Sequence, residues 1–188
     1  RRRRARARRP PGARAQASAS PDLPGDRPRQ DRGGGPRHAE RPAQRVGQRA
    51  SVSIRVNPDV DAKTHAKITT GKADNKFGIS YNRASEVYAR AAALPNIDVT
   101  GVDMHIGSQI TELAPFEQAF KLMALLVEQL KSEGHNIRHL DLGGGLGVPY
   151  RGDNDIPPHP DEYAAMVKRT LGHLNLKYMM EPGRMIVG

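Results

Sequence analysis

"IRHLDLGGG", residues 137–145, decides the fold: a short, largely apolar run suited to a strand stops in three consecutive glycines. Ordering three residues without side chains costs unusual backbone entropy. Either the chain makes a plain turn there, or something must approach its backbone closely. The same punctuation recurs on both sides. "SVSIRV" (51–56) alternates apolar and polar residues as a strand does and ends at Asn57-Pro58. "IDVTGVDMHI" (97–106) runs into Gly107-Ser108, and "LNLKYMM" (174–180) runs into "EPGR" (181–184). Helices are expected between them. Residues 83–94 are Ala-rich and closed by Pro95, and residues 115–133 open with Pro115 and stop at Gly134. Positions 116, 119, 120, 123, 126, 127 and 130 of the second helix form one apolar stripe. A third helix over 160–172 carries Tyr163, Met166, Val167 and Leu171 on one face.

Strands starting near 52, 97, 137 and 175 give a βα repeat of about 40 residues, which implies an α/β fold with a parallel sheet. Four units are about the second half of a (β/α)8 TIM barrel, so the expected architecture is a partial barrel over 51–188. On this count alone the chain is expected to be truncated at its C-terminal side.

Residues 1–50 read differently. They hold 15 Arg, no Lys and four acids, while residues 51–188 hold 15 basic and 16 acidic residues. The net charge of +10 therefore belongs entirely to the first segment. That segment has no aromatic residue and only Leu23 and Val46 as large aliphatics, too little apolar surface to offset ordering, so disorder is expected there. Three readings compete: an Arg-rich nucleic-acid-binding tail, a transit peptide, which the low Ser content and missing amphipathic period count against, and a shifted reading frame in GC-rich DNA. With no cysteine, no disulfide or thiolate chemistry is available in the chain. No apolar run reaches the ~18 residues a membrane helix needs, and a cytoplasmic location is the expectation.

The unusual residues fall at the C-terminal ends of the strands, the edge where parallel α/β folds bind ligands. Gly143, Gly144 and Gly145 can offer bare amides as a nest for an anion. Their spacing is neither a dinucleotide fingerprint nor a P-loop. His105 reads as a hydrogen-bonded core residue or as a flat partner for an aromatic ring, with the Ser108 hydroxyl near a phosphate. Glu181 and Arg184 read as a structural ion pair, or as an acid for a ring nitrogen and a fork for a phosphate or carboxylate. Phosphate, ring nitrogen and flat ring together describe pyridoxal 5'-phosphate. The remaining histidines, His65, His135, His139, His159 and His173, have no metal-ligand spacing and are read as surface or structural, so no metal is expected.

"RVNPDVDAKTHAKITTGKADNKFGI", "HIGSQI", "DLGGGLGVPY" and "EPGR", in this order, resemble the diaminopimelate decarboxylases, a branch of the alanine-racemase-like pyridoxal-phosphate enzymes. The resemblance spans residues 51–188 and implies decarboxylation of meso-diaminopimelate to L-lysine by a cytoplasmic homodimer. It implies that His105 stacks on the cofactor ring and that Ser108 and Gly143, Gly144 and Gly145 bind its phosphate. It further implies that Glu181 pairs with the ring nitrogen and that Gly183 and Arg184 form a second phosphate turn. By the same resemblance Arg184 also faces the substrate carboxylate, Arg55 lines the pocket, and residues 60–78 form a mobile loop over the site. Ornithine and arginine decarboxylases share several of these motifs and are the alternative within the class. An Arg-rich nucleic-acid-binding protein with a relic barrel is the alternative outside it.

The departures are as specific. Residues 1–50 contain no lysine where the family carries its Schiff-base lysine, and no later lysine suits that role. The C-terminal β domain that the resemblance implies is expected to be missing from these 188 residues. A shifted or mis-called gene start is therefore the favoured account of residues 1–50, and these 188 residues alone are expected to be inactive.

Overall fold

Val52, Ile54 and Val56 alternate along the chain and all lie at most 1% exposed, so one face of their strand is sealed in the core. The structure, a computed structural model, describes residues 15–17, 36–60, 77–149 and 156–187. The strands are β1 (Ala15–Ala17), β2 (Ala50–Asn57), β3 (Ile79–Ser80), β4 (Ile97–Asp103), β5 (His139–Asp141) and β6 (Lys177–Met179). The helices are α1 (Pro36–Arg45), α2 (Ala84–Ala92), α3 (Leu113–Ser132), α4 (Pro160–Leu171) and α5 (Gly183–Val187). The sheet runs β1-β2-β4-β5-β6, with β3 pairing β2, and every pairing is parallel. This is the parallel α/β order expected for part of a barrel.

The register stacks residues in layers across the sheet. Ser53, Gly101, His139 and Lys177 pair in one row, and Arg55, Asp103, Asp141 and Met179 in the next. Side chains alternate along a strand, so both rows share the face away from Ile54, Val102 and Leu140. His139 lies across Gly101 to place its Nε2 2.7 Å from the Ser53 hydroxyl. A Cβ at position 101 would collide with the imidazole, which explains the glycine in the middle of β4.

The helices cover the opposite face. In α3, Phe116, Ala119, Phe120, Met123, Leu126, Val127 and Leu130 are all buried, the stripe its spacing predicts. Phe116 and Phe120 meet Tyr163 of α4 edge-on, with ring centroids 5.1 and 6.0 Å apart. Each such fully buried large side chain contributes ~1.5–3 kcal/mol. Tyr88 of α2 reaches the sheet backbone, donating to the Gly101 carbonyl at 2.9 Å. His159 caps α4 reciprocally with Glu162.

Four elements depart from the sequence expectations, the first being strand β1 (Ala15–Ala17), which lies in the segment expected to lack structure and pairs with β2. Helix α1 lies inside the stretch expected to lack structure, burying Ala39 and Ala43 one turn apart. Small residues at that spacing give almost no periodic signal in so polar a segment. Strand β3 is two residues long, below what alternation can reveal. Helix α5 begins at Gly183, where the sequence reads as a turn. Most of residues 1–50 and nearly all of the 60–78 loop lie outside the described residues.

Candidate active site

All strands point the same way, so their C-terminal ends form one edge, two residues beyond the Arg55–Asp103–Asp141 row. His105 and Gly143 lie there, and the Glu181 N–H donates to the Gly143 carbonyl at 2.8 Å. The glycine triplet is threaded between neighbouring strand ends. A Cβ on Gly143 would collide with the Met104 carbonyl, one on Gly144 with the Glu181 carbonyl, and one on Gly145 with the Gly107 carbonyl. Gly143 and Gly145 also have φ of 66° and 108°, which L side chains rarely adopt. Each obstacle is backbone, which cannot rotate away. The three glycines are thus required by close packing before any ligand is considered.

Two of the triplet's amides are already engaged. The Gly143 N–H donates to Asp141 Oδ1 at 2.9 Å, and the Gly144 N–H donates to His105 Nδ1 at 3.2 Å. The second bond fixes His105 with Nδ1 unprotonated, so its proton resides on Nε2. Burial, aided by the Arg55 guanidinium, holds the His105 pKa below the usual imidazole value, against the opposing charges of Glu181 and Asp141. His105 is therefore a neutral, half-buried ring at pH 7.

Below it, Arg55 reaches the His105 carbonyl at 3.5 Å, and its guanidinium lies 5.8 Å from the Phe77 ring centroid. Burial pushes the Asp103 carboxyl up to about 6, with Arg55 opposing and Asp141 and Glu181 reinforcing the rise. The folded state thus binds the Asp103 proton more tightly than the unfolded chain, whose carboxyl titrates near 3.8. The stability this provides is complete below about pH 4 and is lost as pH rises through about 6. Asp103→Asn is expected to flatten the wild-type decline of on the order of 2 kcal/mol across that window in urea denaturation. Parallel wild-type and variant curves between pH 4 and 7 would exclude it.

Glu181, Gly183, Arg184 and Ser108 are exposed. The edge therefore gathers His105, the glycine triplet and the backbone of Glu181, while the Ser108 and Arg184 side chains stand at its open rim. A cavity of about 310 Å³, a size suited to a small ligand, opens between the triplet, Tyr163, Met180 and Pro182. Sequence reasoning did not single out Asp103, Asp141 or Phe77. The two acids are within reach of the sequence: each ends its strand two residues before a residue singled out there, His105 or Gly143.

Residues 40–188 match the family model described as pyridoxal-dependent decarboxylase, pyridoxal binding domain. Among curated proteins, the diaminopimelate decarboxylase of Vibrio cholerae is 54% identical over 145 residues, covering 77% of this chain and 34% of that protein. That of Haemophilus influenzae is 51% identical over 151 residues, covering 80% and 36%. The crystal structure of diaminopimelate decarboxylase from Helicobacter pylori complexed with L-lysine superposes with a TM-score of 0.71 at 37% identity, covering 78% of this chain and 37% of that one. The chain spans about a third of the length of the curated relatives it matches.

Proposed function

The chain belongs to the pyridoxal-dependent decarboxylases, in their pyridoxal-binding domain, and from that membership we propose that it forms the cofactor-holding edge of a diaminopimelate decarboxylase. The observation that carries this is the hydrogen-bonded junction of His105, Gly143, Gly144 and Glu181 at one strand edge. A flat neutral ring, a carboxylate and a backbone stripped of side chains there fit the parts of pyridoxal phosphate.

When bound, the cofactor supplies a ring that accepts the electron pair left as carbon dioxide departs. The residues of this chain would hold and orient that ring. Glu181 would hold a proton on the ring nitrogen, and His105 would pack against the ring. The Gly144 N–H, held by His105 Nδ1 at 3.2 Å, would become available to the phosphate if His105 gave up that bond to meet the ring. Ser108, Gly145, Gly183 and Arg184 complete the phosphate shell, and Arg184 also meets a substrate carboxylate as a planar fork. The substrate is meso-diaminopimelate, decarboxylated at its D-centre to L-lysine; the names of the relatives and the lysine bound to the Helicobacter pylori protein support this choice. The active form proposed is a homodimer, which sedimentation of the whole protein tests; a monomer would count against it.

The chemistry is tested in a chimera in which residues 51–187 replace the aligned third of one of the relatives above. Release of carbon dioxide and lysine from meso-diaminopimelate is expected. A folded chimera that releases neither contradicts the proposal, and a preference for ornithine or arginine moves the chain to another branch.

A further inference from the structure

Gln109 has φ +56°, a left-handed conformation that glycine adopts freely and glutamine rarely does. Its side chain shows what keeps it there. Gln109 Nε2 donates to the Val148 carbonyl at 2.6 Å, and the Val148 N–H donates back to Gln109 Oε1 at 3.2 Å. The carboxamide therefore pairs with both backbone groups of Val148, as an adjacent strand would. Beside it, the Ile110 N–H donates to the Gly145 carbonyl and the Gly147 N–H to the Ile110 carbonyl, each at 2.9 Å. These four bonds zip the segment after β4 to the segment after β5. Ser108, the residue before Gln109, is thereby held at a fixed distance from the glycine triplet.

We infer that Gln109 is a positioning residue that sets the Ser108 hydroxyl against the glycine loop, so that both meet one phosphate group. The inference rests on the cofactor reading above and names a residue that reading does not use. The Gln109 carboxamide is bonded to Val148 at both ends, so it would act on the cofactor only through Ser108, and its loss would weaken recognition of the phosphate and not of the ring.

The test compares equilibrium binding of pyridoxal phosphate and of pyridoxal, which lacks the phosphate, by the full chain and its Gln109→Ala and Gln109→Gly variants, with thermal midpoints measured alongside. Gln109→Ala is expected to weaken pyridoxal phosphate about tenfold, the equivalent of one or two lost hydrogen bonds, and to leave pyridoxal unchanged. Gln109→Gly, which relieves the backbone strain, recovers stability relative to Gln109→Ala but keeps the binding loss. Equal weakening of both ligands, or an unchanged ratio, overturns the inference and leaves Gln109 a fold residue. A wild-type chain that does not prefer pyridoxal phosphate to pyridoxal overturns the cofactor reading itself, and the inference with it.

Discussion

Gly145→Ala is expected to cost about 3 kcal/mol or more and to abolish binding at the strand edge, because two independent penalties meet at one residue. Its φ of 108° is hostile to any side chain, and its Cβ would fall on the Gly107 carbonyl. Relief by movement is blocked, since the Gly145 carbonyl accepts the Ile110 N–H at 2.9 Å and Ile110 is itself buried. Neighbouring glycines give an internal scale. At Gly147 the new Cβ would lie 3.1 Å from the Ile110 carbonyl, tight but tolerable by a small shift. At Gly183 nothing lies within 4 Å and the residue is helical, so alanine there is expected to be neutral or to stabilise by about 0.5 kcal/mol. Urea denaturation of the three variants should rank them Gly145, Gly147, Gly183 in decreasing cost. A Gly145→Ala protein as stable as wild type would show that the triplet is not threaded between strand ends as described.

In the chimera described above, Glu181→Gln is expected to lower turnover by about a hundredfold or more, the scale on which a positioned proton-holding group acts, while leaving the fold intact. The side chain is exposed, so the substitution opens no cavity. The Glu181 N–H bond to Gly143 is backbone and survives the change. What is lost is the charge. That loss has a signature without any substrate: Glu181 raises the pKa values of both Asp103 and His105, so both should fall in the variant. Titration by NMR reads the two groups separately. Unchanged titrations together with full turnover would remove Glu181 from the site.

Much of this architecture is legible in the sequence where periodicity is strong. The α3 stripe from Phe116 to Leu130 and the alternation of Val52, Ile54 and Val56 mark their buried faces directly, because burial imposes the period. Elements without such a period stay hidden. Helix α1 is held by two alanines among arginines, β3 is two residues long, and α5 starts on a glycine that composition assigns to a turn. At the site, the glycine triplet is visible as an anomaly, but its first cause is not. The colliding carbonyls belong to Met104, Gly107 and Glu181, as many as 39 positions away in the chain, and only the sheet register brings them together. The engaged amide of Gly144 likewise depends on His105, 39 positions earlier, whereas that of Gly143 is held locally by Asp141, two residues before it.

A crystal structure of the protein with pyridoxal phosphate tests the central claim most directly. The account predicts the phosphate against the Gly145 amide, the Ser108 hydroxyl and the Gly183-Arg184 turn, the ring nitrogen facing Glu181, and His105 turned away from the Gly144 N–H. A cofactor bound elsewhere, with the Gly144 N–H still donating to His105 Nδ1, would contradict it.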